Sequence, residues 1–275
     1  MTTHTREVQT GERFEFGANW ALFLKALTAS QIQDAEQSLQ RMLGTTSLSG
    51  RTFLDAGSGS GLFSLAARRL GACVRSFDYD PRSVACTLEL KRRQFPDDPH
   101  WVIEEGSVLD PAYLSSLGPF DIVYSWGVLH HTGSMWEALG NVAQRVGAGG
   151  LLFISIYNDQ GTVSRRWKFV KRFYNHTPRP FRLLISGPLF IQQYWRRLVK
   201  DFILLRPFHT IRKYEGKTRG MTAWRDHIDW VGGYPFEVAK PEEIIDFCQA
   251  RGFQLQKLKT CGGTLGCNEF VLRRT

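Results

Sequence analysis

Long apolar runs are missing from this 275-residue sequence. Stretches such as Leu151-Leu152-Phe153-Ile154 are typical, far below the roughly 18 residues that a bilayer-spanning helix needs. The opening MTTHTREVQTGERF has no apolar centre of the signal-peptide kind. Cysteines are few: Cys73, Cys86, Cys248, Cys261 and Cys267 stand alone, without a C-x-x-C pair. That excludes a disulfide scaffold or a zinc ribbon and predicts a reducing, cytoplasmic setting. No spacing of His, Cys, Asp and Glu matches a metal motif, so no metal is expected. Internal repeats and low-complexity tracts are absent too, and 43% hydrophobic with 22% charged residues suits a globular chain.

Acidic residues are scarce in one place above all. Residues 161–220 carry fifteen Lys and Arg against Asp201 and Glu215, while the whole chain is +9. The remainder is therefore net acidic, and an anionic partner would meet the chain in that stretch.

Strand and helix signals alternate through the first half. Apolar spacing predicts one helix over 19–43, with Gly44 as its stop. Strands are predicted at 51–56, 73–77, 101–103, 121–124 and 151–156, with helices at 62–70, 81–93 and 135–146 between them. Alternation breaks at Tyr157. It resumes with a helix over 241–250 and two strands, 253–258 and 269–272, close enough to pair antiparallel across a glycine-rich turn. The pattern predicts a mostly parallel sheet covered on both faces.

The run Phe53-Leu54-Asp55-Ala56-Gly57-Ser58-Gly59-Ser60-Gly61 lies between the first strand and its helix. Glycines there allow a sharp turn and close approach of a ligand to a helix N-terminus. Asp78 follows 21 residues after Gly57, at the end of the second strand, where a carboxylate can accept from ribose hydroxyls. Gly106-Ser107-Val108 follows the third strand, and Asp121-Ile122-Val123-Tyr124-Ser125 forms the fourth.

With these four motifs in this order the chain resembles the class I S-adenosylmethionine-dependent methyltransferases. The resemblance covers roughly 50–157 and 240–274. It implies a Rossmann-like α/β fold, a seven-stranded and mostly parallel sheet with its last strand antiparallel, joined by an α-helical insertion. The implied organisation is an N-terminal helical segment, 1–49, a cofactor-binding domain, 50–157 and 240–275, and a basic helical insertion, 158–239. S-adenosylmethionine is the implied cofactor and S-adenosylhomocysteine the product. Gly57, Ser58 and Gly59 would meet the methionine part, with Asp55 orienting the loop or reaching the cofactor amine through water. Asp78 would hold the ribose, Tyr79 would lie beside the adenine, and Ser107 and Val108 would meet its edge. Ser125 is a further cofactor contact implied at the fourth strand.

After that strand, Ser125-Trp126-Gly127-Val128-Leu129-His130-His131 resembles a segment of small-molecule O- and C-methyltransferases that passes near the reactive methyl. His130 or His131 would take a hydroxyl proton, or would only fix the loop. The absence of an Asn/Asp-Pro-Pro-Tyr/Phe motif there argues against methylation of nucleic-acid bases. A second cluster, Arg225 to Glu237, either supplies His227 and Asp229 as candidate substrate contacts or proton acceptors, or is a packed linker whose polar groups cap helices. N-terminal segments of the related enzymes commonly cover the cofactor, which would set Trp20 against it, whereas packing in the core is the default for a large aromatic. Cys261 and Cys267 are read as structural.

Within the insertion, Ile191, Tyr194, Trp195, Leu198, Phe202 and Leu205 recur at helical spacing, with Gln192, Gln193, Arg196, Arg197, Lys200 and Asp201 on the other side. The segment Arg165 to Tyr174 is a second basic-aromatic stretch. Three readings stand: a lid with its apolar face over the site, a membrane contact, or an RNA contact, the lid being preferred. The expected reaction is O-methylation of a small metabolite, acidic or phenolic. An acidic acceptor would be held by the insertion's arginines. A non-catalytic protein that keeps the cofactor fold is the alternative from another class.

Overall fold

Strand β1, Thr52–Ala56, is buried from its second residue onward, as a strand covered on both faces must be. In the computed structural model, which describes residues 3–204, 206 and 223–275 with the side chains of residues 197 and 198 excepted, β1 pairs parallel with β2, Cys73–Asp78, and β4, Phe120–Trp126. Beyond them lie β3, Trp101–Glu105, and β5, Val146–Tyr157, also parallel. The last strand, β7, Cys267–Arg274, runs antiparallel between β5 and β6, Phe253–Lys259, giving the order β3-β2-β1-β4-β5-β7-β6. Strand order reverses between β1 and β4, and such a reversal opens a crevice at the strands' C-terminal ends.

Alternate residues of β1 feed two cores. Phe53 packs with Leu39 of α3, Ala29–Leu43, Leu65 of α4, Leu62–Arg69, and Leu90 of α5, Pro81–Gln94. Leu54 packs with Leu114 of α6, Pro111–Ser116, Leu139 of α7, Met135–Ala143, and, nearer the C-terminus, Ile244 of a helix over Pro241–Gln249.

Three boundaries differ from the sequence expectation. Two helices precede α3, namely α1, Thr3–Thr10, which the periodicity does not reveal, and α2, Gly17–Ala26. The helix predicted over 19–43 breaks because Thr28 turns extended and caps α3, its hydroxyl accepting from Gln31 N–H while the Gln31 side chain accepts from Thr28 N–H. The helix predicted over 135–146 stops at Ala143, and Val146 already opens β5, opposite Phe120.

Between β5 and the Pro241–Gln249 helix stand α8, Thr162–His176, α9, Arg182–Ile203, and α10, Ala223–Gly232; the Pro241–Gln249 helix is α11. A small third core joins them to the N-terminal segment, with Phe14, Tyr174 and Val231 at its centre. Helix α9 does not turn inward the face its periodicity predicts. Tyr194 is buried, but Ile191, Trp195 and Phe202 are exposed and Asp201 is buried; Leu205 and the side chain of Leu198 lie outside the described residues. Packing against α10 decides this: Phe190 lies against Tyr194, Trp224 and His227 at centroid separations of 4.6, 5.1 and 5.3 Å.

Candidate active site

One cavity of about 1320 Å³ opens at the C-terminal ends of β1, β2 and β4. Its floor is the glycine loop. Gly57, Gly59 and Gly61 all have left-handed φ, 89°, 56° and 78°, a region that side chains disfavour. The Gly57 and Ser58 N–H groups donate to Phe77 carbonyl oxygen at 2.9 and 3.0 Å, tying the loop to β2. A Cβ on Gly57 would stand 2.5 Å from Val128.

Asp78 Oδ2 accepts from Gly59 N–H and Oδ1 from Asp80 N–H, each at 2.9 Å. Burial raises its carboxyl to about 6. Asp55 sits one strand over, buried, with the Ser64 hydroxyl donating to it, and burial lifts it to about 7. Tyr79, Ser107 and Val108 also line the cavity. The ring of His4 lies edge-on to Tyr79 at 5.4 Å, and the Arg13 guanidinium stands 5.0 Å from its centroid. These contacts from the N-terminal segment have no motif in the sequence.

Ser125 is a correction. It is fully buried, donates to Ala56 carbonyl oxygen at 2.8 Å and does not line the cavity. Its side chain locks β4 to β1 beneath the floor.

The two adjacent histidines separate. Leu129–His131 forms a 3₁₀ turn, in which successive side chains diverge by about 120°. His131 lines the cavity, and its Nδ1–H donates to Pro235 carbonyl oxygen at 2.6 Å, leaving Nε2 as the acceptor nitrogen. Burial pushes it down to about 3. His130, expected as an alternative base, points into the core instead. It is fully buried, off the cavity, 4.1 Å from the Tyr157 ring, and burial holds it well below the ordinary histidine value.

His227 is likewise corrected. It lies off the cavity, with Nε2 3.0 Å from Ser186 carbonyl oxygen and Nδ1 2.7 Å from Gln193 Oε1, one of which takes the ring N–H. Burial lowers its pKa, so the neutral ring fastens α10 to α9. Asp229 is on the other side of α10 and lines the cavity with Asp226 and Trp230. Asn19 donates to the Asp229 carboxylate, and burial raises that carboxyl to about 7. Behind it, Lys171 is fully buried, donates to Trp230 carbonyl oxygen and stands 4.1 Å from the Trp230 centroid; burial brings it down to about 7. The basic-aromatic run around Lys171 disguises a core residue as a surface one.

Trp20 meets both of its expected settings: it packs against the core that holds Phe23 and Leu24 and also faces the cavity, its indole 3.2 Å from a Cβ built on Gly59. Cys267 reaches the rim as well. Among the described lining residues Glu7, Asp55, Asp78, Asp80, Asp226 and Asp229 are acidic, and Arg13 is the one Lys or Arg. Among the described residues no arginine of the insertion lines the cavity, while Arg212, Arg219 and the side chain of Arg197 lie outside them. A basic chain thus encloses an acidic cavity, which fits a cationic ligand such as S-adenosylmethionine, with its sulfonium and ammonium groups.

The family profile described as "Methyltransferase domain" matches residues 28–215. Among curated proteins, the chain is 28% identical over 109 residues to a ubiquinone biosynthesis O-methyltransferase of Caulobacter vibrioides, covering 40% of this chain and 42% of that one. The corresponding enzyme of Caulobacter sp. (strain K31) is 30% identical over 135 residues, covering 45% and 49%. The chain thus matches a little under half the length of these relatives. Among solved structures, the magnesium protoporphyrin IX methyltransferase of Synechocystis PCC 6803 with bound S-adenosylhomocysteine superposes with a TM-score of 0.53 at 14% identity, over 91% of this chain and 86% of that one. The profile match over most of the chain, on this sheet order, makes the chain a member of the methyltransferase-domain family, within the class I S-adenosylmethionine-dependent methyltransferase superfamily.

Proposed function

We propose that the chain transfers a methyl group from S-adenosylmethionine to the hydroxyl oxygen of a small phenolic metabolite. The observation that carries this reading is the two-part cavity: carboxylates and the glycine loop at one end, aromatic side chains and Asp229 at the other. Its volume exceeds the roughly 300–1,000 Å³ of a single-ligand pocket, so a second reactant has room beside the cofactor.

When bound, the cofactor supplies a methyl group already attached to a good leaving group, so positioning does most of the catalytic work. Gly57, Ser58 and Gly59 would hold its methionine part, Asp78 its ribose hydroxyls, and Tyr79, Ser107 and Val108 its adenine. Phe16, Tyr157, Trp167 and Trp230 offer flat apolar surface to an aromatic acceptor. With the methyl passing from the sulfonium to the phenol oxygen and the sulfur leaving as a neutral thioether, Asp229 would take the phenol proton. A carboxyl near 7 suits that role at neutral pH. His131, near 3, is too weak a base and serves as an acceptor that orients the hydroxyl. The name of the curated relatives favours oxygen as the acceptor atom.

The test has two parts. Calorimetry with S-adenosylhomocysteine should show binding that Asp78→Ala abolishes; binding indifferent to that change would favour a non-catalytic protein. Radiolabelled methyl should then enter phenols in a fractionated extract, and label confined to carboxylic acids or amines would refute O-methylation of a phenol.

A further inference from the structure

Of the sixteen exposed large apolar side chains among the described residues, twelve fall between Val163 and Leu204. On α9, Leu184, Ile191, Trp195, Val199 and Phe202 recur at intervals of three, four or seven residues, which sets them on one helix face. Leu184 is 73% exposed and Phe202 77%. Ser186, Tyr194 and Asp201, on the other side, are buried. Helix α8 separately exposes Phe169 and Phe173, their rings stacked 6.4 Å apart, with Phe169 71% exposed. An exposed apolar stripe such as that of α9 marks an interaction site.

The charge around it narrows the partner. Arg165, Arg166, Lys168 and Arg172 on α8, and Arg196 and Lys200 on α9, are exposed. The one acidic residue of these two helices, Asp201, is buried. Single-stranded RNA takes aromatic platforms, whereas seven of the twelve exposed side chains are aliphatic. Aliphatic and aromatic groups flanked by uncompensated basic ones are the composition of a helix lying in the interface of an anionic bilayer. No helix among the described residues is long and apolar enough to cross a membrane, so contact would be with the surface.

We infer that the α8–α9 face docks on an anionic lipid bilayer, with its apolar stripe in the headgroup boundary. The same two helices line the cavity through Trp167, Leu189, Gln192 and Gln193. Together with the proposed reaction, on which this clause alone rests, docking makes the acceptor a lipophilic phenol drawn from the bilayer.

The test is sedimentation of the full chain with vesicles of phosphatidylcholine alone or with about one-third phosphatidylglycerol, at low salt and at roughly 0.5 M salt. Binding is expected to the anionic vesicles at low salt. It should fall at least about tenfold in Leu184→Ser/Trp195→Ser/Phe202→Ser, with affinity for S-adenosylhomocysteine unchanged. Should that variant misfold, Arg166→Glu/Arg196→Glu/Lys200→Glu should lose the preference for anionic lipid. Absence of binding to anionic vesicles, or undiminished binding by the variants, overturns the inference. So does self-association of the wild type that the serine variant abolishes, since a second copy would then cover the face, and so does tighter retention on RNA than on vesicles. Vesicle binding by a protein that does not bind S-adenosylhomocysteine would sink the proposed reaction and leave the docking surface standing.

Discussion

The side-chain amide of Asn19, on α2, donates to the carboxylate of Asp229, on α10, across 210 positions of chain. One hydrogen bond joins the segment before the sheet to the insertion after β5 and aims the proposed proton acceptor. Asp229 is held high by burial and pulled down by Asn19. Asp229→Asn is therefore expected to lower kcat by about 10²-fold and to erase the rise of rate with pH through about 7. Asn19→Ala should keep that rise but move it to higher pH, because the carboxylate loses a donor. Steady-state pH profiles of the three proteins decide this; a profile unmoved in Asn19→Ala would deny the positioning role.

Asp78 and Ser125 should part company. Asp78→Ala removes the acceptor for Gly59 N–H and the proposed ribose contact, so affinity for S-adenosylhomocysteine should fall beyond calorimetric detection. Ser125→Ala, beneath the floor, should leave that affinity within about twofold and cost about 1 kcal/mol of stability for a buried hydrogen bond. Calorimetry and urea unfolding read the two separately.

Gly57→Ala should damage the loop twice. Its φ of 89° disfavours a side chain, and its new Cβ would meet Val128 at 2.5 Å. A loss of about 2 kcal/mol is expected. Adding Val128→Ala should restore only the steric part, which denaturation of single and double variants would reveal as non-additivity.

Acid should unfold the protein through its buried histidines. His130 is neutral in the fold and held well below its ordinary 6.5. A lowered folded pKa means the unfolded chain binds the proton first, so its contribution is complete above about 6.5 and declines as pH falls. At pH 5 the loss for one such histidine is about 2 kcal/mol. Asp55 and Asp229, raised to about 7, act with the opposite sign, their contribution being complete below about 4 and lost as pH rises through about 7. His130→Phe should flatten the acid side of the stability profile by about one histidine's share. An unchanged slope in urea midpoints between pH 7.5 and 5 would show that His130 titrates normally.

Much of the fold is legible in the residues because its signals are local. Phe53-Leu54 reads as a two-faced strand, and Gly57-Ser58-Gly59 as a turn that only glycine-rich chain can make, so strand, loop and helix follow from neighbours in sequence. Thr28 shows the limit: helical spacing runs through it, and only its capping of Gln31 breaks the helix. The site is less legible. His130 and His131 are adjacent, and a 3₁₀ turn sends one into the core and the other to the cavity. His227 and Asp229 are two residues apart on α10, about 200° around the helix, so one faces α9 and the other the cavity.

The order of strands and helices, the glycine loop with Asp78 behind it, and the basic stretch at 161–220 are properties of the sequence, because backbone preference and apolar period act between residues close in the chain. Which charges surround the ligand is a property of the tertiary structure. Packing of α8–α10 against the N-terminal segment turns Asp226 and Asp229 inward and Arg165, Arg166, Lys168, Arg172, Arg196 and Lys200 outward, with Lys171 alone of the described lysines there buried. Burial then moves the carboxyls toward neutral pH and the histidines away from it, since a low-dielectric interior disfavours whichever form is charged.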